Sequence, residues 1–191
     1  MRLFSRHGYQ ATSVHNILAE AGVNAGSLYH FFPGKQDVLL AVLEGYRDNI
    51  ATMLLEPAWA DAAEPLDKVF ALLSHYRSHI AQTDCAYGCP IGSLSLEINE
   101  PDPAVRSLLA ANFAAWTDAV RRCLEDAGGR LPATTDRSAL AEFVLTTMEG
   151  AVMQARTHRD IGYFDRAVAE LRRYFELLEQ QATSPRRRDA R

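Results

Sequence analysis

Apolar residues recur every three or four positions along almost all of this 191-residue chain, and no stretch alternates with the period of two that a half-buried strand requires. That periodicity confines the fold to helices packed on helices, an all-α class. Proline and glycine mark the breaks. The series Leu39, Val42, Leu43, Tyr46, Ile50, Met53 and Leu54 predicts a long helix that Pro57 should end. A second begins near Pro65 and carries Leu66, Val69, Phe70, Leu73, Tyr76 and Ile80. Thr83 to Pro90 reads as a loop, and a short helix follows from Ile91 to Ile98. Three elements then remain to be placed. Val105 to Leu124 predicts a helix closing at Gly128-Gly129, Asp136 or a nearby threonine should cap the next, and Phe164 to Leu178 predicts the last. Residues 184–191, Ser-Pro-Arg-Arg-Arg-Asp-Ala-Arg, hold nothing able to dock and are expected to form a disordered basic tail.

Composition narrows the function classes. A hydrophobic fraction of 48% beside a charged fraction of 23% suits a globular core. No run reaches the roughly 18 uncharged apolar residues of a membrane span. The N-terminus lacks a signal-peptide core, and three cysteines, an odd number, do not suggest a secreted disulfide framework. A cytoplasmic protein with no membrane partner is expected. The chain has no P-loop, no dinucleotide glycine fingerprint and no Gly-x-Ser-x-Gly elbow, so neither an enzyme nor a cofactor is expected, and no catalytic residue is assigned. Glu97, Glu100 and Asp102 gather near a helix end, where they are expected to solvate the turn. Charge is uneven. Up to Lys35 the chain carries Arg2, Arg6 and Lys35 against Glu20 alone, a balance of +2; with a total of −4, the remainder carries −6. A basic head on an acidic body can offer the head to phosphate while the body stays clear.

The head holds the most informative stretch. Gly8 should end a first helix, and Thr12 is placed to cap a second whose inward face is Val14, Ile17, Leu18 and Ala21. Gly22 allows the tight turn into a third helix, which Asn24 can cap. Ala25, Gly26 and Ser27 then occupy its first turn, small enough for the backbone to approach base edges and phosphate. Leu28 and either Phe31 or Phe32 should pin this helix inward while Tyr29 and His30 project. A short helix presented N-terminus first, with a partner crossing behind it, is the geometry of a major-groove reader.

The run from Gly8 to Lys35, followed by Asp37-Val38-Leu39-Leu40, resembles the N-terminal domain of the tetracycline-repressor (TetR) family. The glycine-aromatic pair, Thr12-Ser13-Val14, the Ala21-Gly22-Val23 turn and Leu28-Tyr29-His30 fall in that family's order and spacing. The resemblance implies a helix-turn-helix domain over residues 1–36 and a helical effector-binding and dimerisation domain over 37–183. It implies that Thr12 and Ser13 hold phosphate at the start of the second helix. Asn24, Ala25, Gly26 and Ser27 would face the groove, Tyr29 and His30 would touch phosphate or bases, and Lys35 would clamp phosphate. The family's first helix begins well before its glycine, whereas Met1 here stands only seven residues before Gly8, so either a truncated or an unusually short first helix is expected.

The same resemblance implies a homodimer on a palindromic double-stranded operator, released by a small molecule. The last two long helices are the expected dimer elements, since they are more broadly apolar than one packed face needs and Gly150-Ala151 permits close approach. Tyr76, His79, Cys89, Phe113, Trp116 and Met148 lie on the candidate pocket elements and predict an apolar or aromatic effector. Three other readings remain open. The chain could be a helical small-molecule-binding or protein-interaction module that never touches DNA. Cys89 could act as a redox or electrophile sensor. His75, His79, Cys85 and Cys89 could gather a zinc ion, although solvent-facing histidines and semi-buried thiols explain them more simply, and no metal site is assigned.

Overall fold

In a computed structural model of the protein, residues 1–98 and 102–184 are described, and among them every regular element is helical. The expected tail, apart from Ser184, and Glu100 lie outside the described residues. The head comprises α1 (Arg2–His7), α2 (Val14–Ala21) and α3 (Ala25–Phe31). Helix α4 (Lys35–Asp48) leads out of it, followed by α5 (Glu56–Trp59), α6 (Pro65–Ala81), α7 (Pro90–Glu97), α8 (Pro103–Asp126), α9 (Arg137–His158) and α10 (Gly162–Thr183). No described helix is long and apolar enough to cross a membrane.

Most of the expected boundaries are present, each with an identifiable local cause. Asp102 and Asp136 cap α8 and α9 by accepting first-turn backbone N–H bonds. Gly128, at φ +53°, turns the chain after α8. Pro57 is the exception. The chain does not run as one α-helix to that residue: α4 ends at Asp48, the side chain of its cap Asn49 donates to the Gly45 carbonyl, and a π-helical turn spans Ala51–Leu55 before Pro57 enters the first turn of α5. A proline there cannot donate to the carbonyl four residues back, and it is tolerated once a new helix starts in front of it.

Two apolar clusters hold the molecule. The larger fills the space among α6, α8, α9 and α10, with Leu72, Leu73, Val120, Met148, Phe164 and Phe175 essentially sealed from solvent. Phe70 and Phe175 meet edge to face at 5.2 Å, and Arg77 of α6 grips Asp165 of α10 through two hydrogen bonds of 2.6 and 2.9 Å. The smaller cluster joins head to body. It combines Phe4 of α1 with Leu39 and Leu43 of α4, Ile91 and Leu94 of α7, and Val105 and Leu109 of α8. Asn112 secures the same seam. Its buried amide donates to the Leu43 carbonyl at 2.9 Å and the Leu108 carbonyl at 2.8 Å.

Replacing Asn112 with Ala removes both donations, including the buried one that ties α8 to α4 at Leu43. The expected loss is about 1–3 kcal/mol of unfolding free energy, measurable by urea denaturation. An unchanged midpoint would show that water replaces the amide at no cost.

Candidate DNA-reading head and effector cavity

The third helix is short and its outer side is bare. Asn24 caps it, its side-chain oxygen accepting from the Ser27 N–H at 2.8 Å, and Asn24, Ala25, Gly26, Ser27, Tyr29 and His30 are all exposed. Leu28, the buried residue of α3, pins it, and Phe32 is half-buried behind it. Phe31 is not the pin: it stands 72% exposed with His30 edge-on at 4.8 Å. Gly22 adopts the left-handed conformation, φ +67°, that lets α3 cross α2. Hydroxyl, amide, imidazole and phenol groups therefore line one accessible helix, with small residues where close approach matters.

The head's second helix differs from expectation at its start. Ser13, not Thr12, is the N-cap: its hydroxyl accepts from the Asn16 N–H while Asn16 reaches back to the Ser13 N–H, a reciprocal capping box. Thr12 is only 1% exposed and donates inward to the Gly8 carbonyl at 2.6 Å. It holds the Gly8–Thr12 turn from within, so the expected phosphate contact at Thr12 is corrected, whereas Ser13 remains exposed. The inward face of α2 is Val14, Ile17 and Leu18, each half-buried, and Ala21 is exposed. Lys35 is half-buried. Its ammonium donates to the Tyr9 carbonyl at 2.8 Å and reaches the Gln10 carbonyl at 3.4 Å, lying 4.3 Å above the Tyr9 ring. The lysine thus braces the head's own turn.

Below the head, a cavity of about 650 Å³ opens between α1, α4, α6, α7, α8 and α9. All six residues expected to contact an effector border it: Tyr76 and His79 from α6, Cys89 at the start of α7, Phe113 and Trp116 from α8, and Met148 from α9. They are not equivalent. Trp116 and Met148 belong to the main core, Phe113 is half-buried, and His79 is exposed at the rim, its Nδ1 3.0 Å from the His75 carbonyl. Tyr46, Ile50, Met53 and Leu54 add apolar wall from α4 and the π turn, and Arg2, Ser5 and Arg6 of α1 close the side nearest the head. A larger, more open groove of about 1200 Å³ lies on the other side of Cys89 and Glu149, which border both spaces.

Sequence reasoning missed Glu149. It faces Gly92, where a Cβ would crowd its carboxylate, so a larger residue at that point of α7 would have to displace the Glu149 side chain. Its Oε1 is buried without a hydrogen-bond partner, as is Trp116 Nε1. Burial raises the Glu149 carboxyl above its ordinary value, and burial followed by the nearby Glu149 charge pushes the Cys89 thiol up strongly. Tyr76 is raised as well, chiefly by burial. Burial therefore disfavours charge at the deep end of the cavity. A lone glutamate on an otherwise apolar helix face gives no sequence signal, because only the crossing of α7 shows where it points. The four residues weighed as zinc ligands do not gather: among the described residues no three His, Cys, Asp or Glu side chains form a metal-holding group.

Residues 1–42 match the family described as bacterial regulatory proteins, tetR family, and residues 65–171 match the tetracyclin repressor-like C-terminal domain. This chain belongs to the TetR family. An uncharacterised HTH-type transcriptional regulator of Mycobacterium tuberculosis is 33% identical over 178 residues, covering 89% of this chain and 87% of its own. The transcriptional repressor DhaR of Mycobacterium sp. is 24% identical over 161 residues, covering 83% of this chain and 79% of its own. Among solved structures, the regulatory protein TetR from Rhodobacter sphaeroides superposes with a TM-score of 0.81 at 27% identity, covering 91% of this chain and 93% of that one. The protein is a TetR-family helix-turn-helix transcriptional regulator, and α2–α3 is its helix-turn-helix.

Two outcomes separate the reading surface from its support. Tyr29→Ala is expected to weaken DNA binding about tenfold or more with the melting temperature unchanged, because Tyr29 is 52% exposed. Thr12→Val is expected instead to lower stability by about 1–2 kcal/mol, read by thermal melting. A third concerns Glu149. Its proton is held to higher pH in the folded chain than in the unfolded one, so its contribution turns unfavourable as pH rises from the ordinary carboxylate range towards neutrality. Glu149→Gln is expected to raise the melting temperature near neutral pH and to leave it nearly unchanged at about pH 4. Lower stability of the variant at neutral pH would mean that the carboxylate is already compensated.

Proposed function

We propose that this regulator is a cytoplasmic homodimeric repressor that holds a palindromic operator and leaves it when an apolar or aromatic molecule fills the 650 Å³ cavity. The observation that carries the reading is the position of that cavity: residues of α1 border the same space as Trp116 and Met148, so an occupant would touch the head directly. Differential affinity between a DNA-competent and an incompetent pose is the physical requirement, and a cavity spanning head and body can supply it. That a relative is named as a repressor supports the sign of control.

In this reading Ser13 and the N-terminal turn of α3 meet phosphate. Asn24, Ala25, Gly26 and Ser27 enter the major groove, and Tyr29 and His30 make flanking contacts. Lys35 acts mainly through the turn that it braces. One seven-residue helix gives too few base contacts for specificity, so two heads are needed. The exposed apolar residues on the last two helices favour their pairing: Phe143 and Met153 on α9, and Tyr174 and Leu177 on α10, with Phe143 and Tyr174 edge to face at 5.9 Å. Two copies would bury that face as a four-helix bundle. The rival redox reading at Cys89 is disfavoured, since a buried thiol pushed upward in pKa holds little of the nucleophilic thiolate.

Selection and sequencing of genomic fragments retained by the purified protein tests the reading. The expected product is an inverted repeat whose affinity falls steeply with salt. Recovery of unrelated sequences with no shared repeat would sink it. Trp116→Phe, which keeps the core filled, is expected to weaken ligand-triggered release while leaving operator affinity within about twofold.

A further inference from the structure

Beyond the shared apolar seam, a side chain that no part of the reading above uses ties the head to the body. Glu97, the last residue of α7, reaches across to the turn between α1 and α2. Its Oε2 accepts from the Tyr9 N–H and its Oε1 from the Gln10 N–H, both at 2.8 Å. Among the described residues these are the hydrogen bonds that link residues 1–35 to the helices from α6 onward. The fit is close: Gly8 sits at φ +79°, and a Cβ there would lie 2.7 Å from Glu97 Oε1. The carboxylate expected to solvate a helix end grips the neighbouring module instead.

The other side of the same turn is held from within the head. Lys35 takes the Tyr9 and Gln10 carbonyls, and Thr12 takes the Gly8 carbonyl. The turn is thus caught between a cation of the head on its C=O side and an anion of the body on its N–H side. Charge-assisted bonds to two successive amides fix orientation as well as distance. The opposite end of the eight-residue α7 borders the cavity, where Cys89 caps the helix and Gly92 meets Glu149. One short rigid helix therefore has its first turn at the cavity and its last residue on the reading head.

We propose that Glu97 is a positioning residue that sets the pose of the reading head on the body, and through it the spacing between half-sites that the protein accepts. The spacing part rests on the dimeric reading given under Proposed function; the pose does not. Tyr9 is half-buried and Gln10 exposed, so water can take over their N–H groups when the carboxylate is removed. Losing Glu97 consequently loosens the head without unfolding it.

The test uses the full-length protein, Glu97→Ala and Glu97→Gln. Hydrogen–deuterium exchange is read first. The Tyr9 and Gln10 amides are expected to exchange about tenfold or more faster in Glu97→Ala, a change of about 1.4 kcal/mol in opening, while α2 and α3 keep their protection. Glu97→Gln, with one carbonyl oxygen for two donors, is expected to fall between. Binding is then measured on the selected inverted repeat with its centre lengthened or shortened by one to three base pairs, and on a single half-site. The wild type is expected to favour one spacing by roughly tenfold or more, and Glu97→Ala to accept the series within about threefold, with half-site affinity retained. Wild-type exchange at Tyr9 and Gln10 in the variant would overturn the proposal, as would an unaltered spacing profile. Loss of half-site affinity in step with loss of α2 and α3 protection would overturn it too, by making Glu97 a folding residue. Sedimentation velocity keeps the two readings apart: a monomeric wild type sinks the dimer, and the exchange result still decides the pose.

Discussion

Leu39 and Leu43 on α4 are fully buried in a cluster that draws on α1, α7 and α8. The head contributes little core of its own. Phe4, Thr12 and Leu28 are its buried side chains, and α2 buries none completely. A module of this size cannot sequester enough apolar surface alone, so its stability comes from sharing a core with the helix that leaves it. Asn112 reinforces the join by holding the Leu43 carbonyl from α8. The consequence for function is that the reading helix is carried on the body rather than tethered to it.

That shared seam explains how a cavity under the head can matter to DNA. Its walls come from α1 and α4 on one side and from α6, α8 and α9 on the other, and Tyr76, Cys89 and Glu149 make its deep end, where burial disfavours charge. An occupant separating those walls would strain the contacts that orient α4 and α7. Packed interiors resist gradual deformation and tend to pass between discrete arrangements, so a small displacement at the cavity can be expressed as a change of pose at α3. The outer side of α9 and α10 leaves Phe143, Met153, Tyr174 and Leu177 exposed, the face assigned to pairing in the proposed function.

The local geometry of the helix-turn-helix was legible from local rules. Gly22 and Asn24 announced the turn and the cap, and the alternation of Leu28 with Tyr29 and His30 announced which side faces out. Family order placed Ser13 at the start of α2. Thr12 and Lys35 were read too simply, because adjacent hydroxyls in Thr12-Ser13 look alike in sequence while the capping geometry accepts one and turns the other inward. Lys35 looked free because its partners are backbone carbonyls, which carry no residue-type signature.

The sequence by itself determined the all-helical class, nearly all helix boundaries and the position of the helix-turn-helix, since period, caps and glycine turns act over a few residues. The π turn before Pro57, the meeting of six separated side chains around one cavity, the burial of Glu149 against Gly92 and the grip of Glu97 on Tyr9 and Gln10 were decided only in three dimensions. Those contacts join residues as many as 88 positions apart. Their chemistry depends on how whole helices cross, and helix crossing is set by the packing of a core to which no single segment contributes enough to be read in isolation.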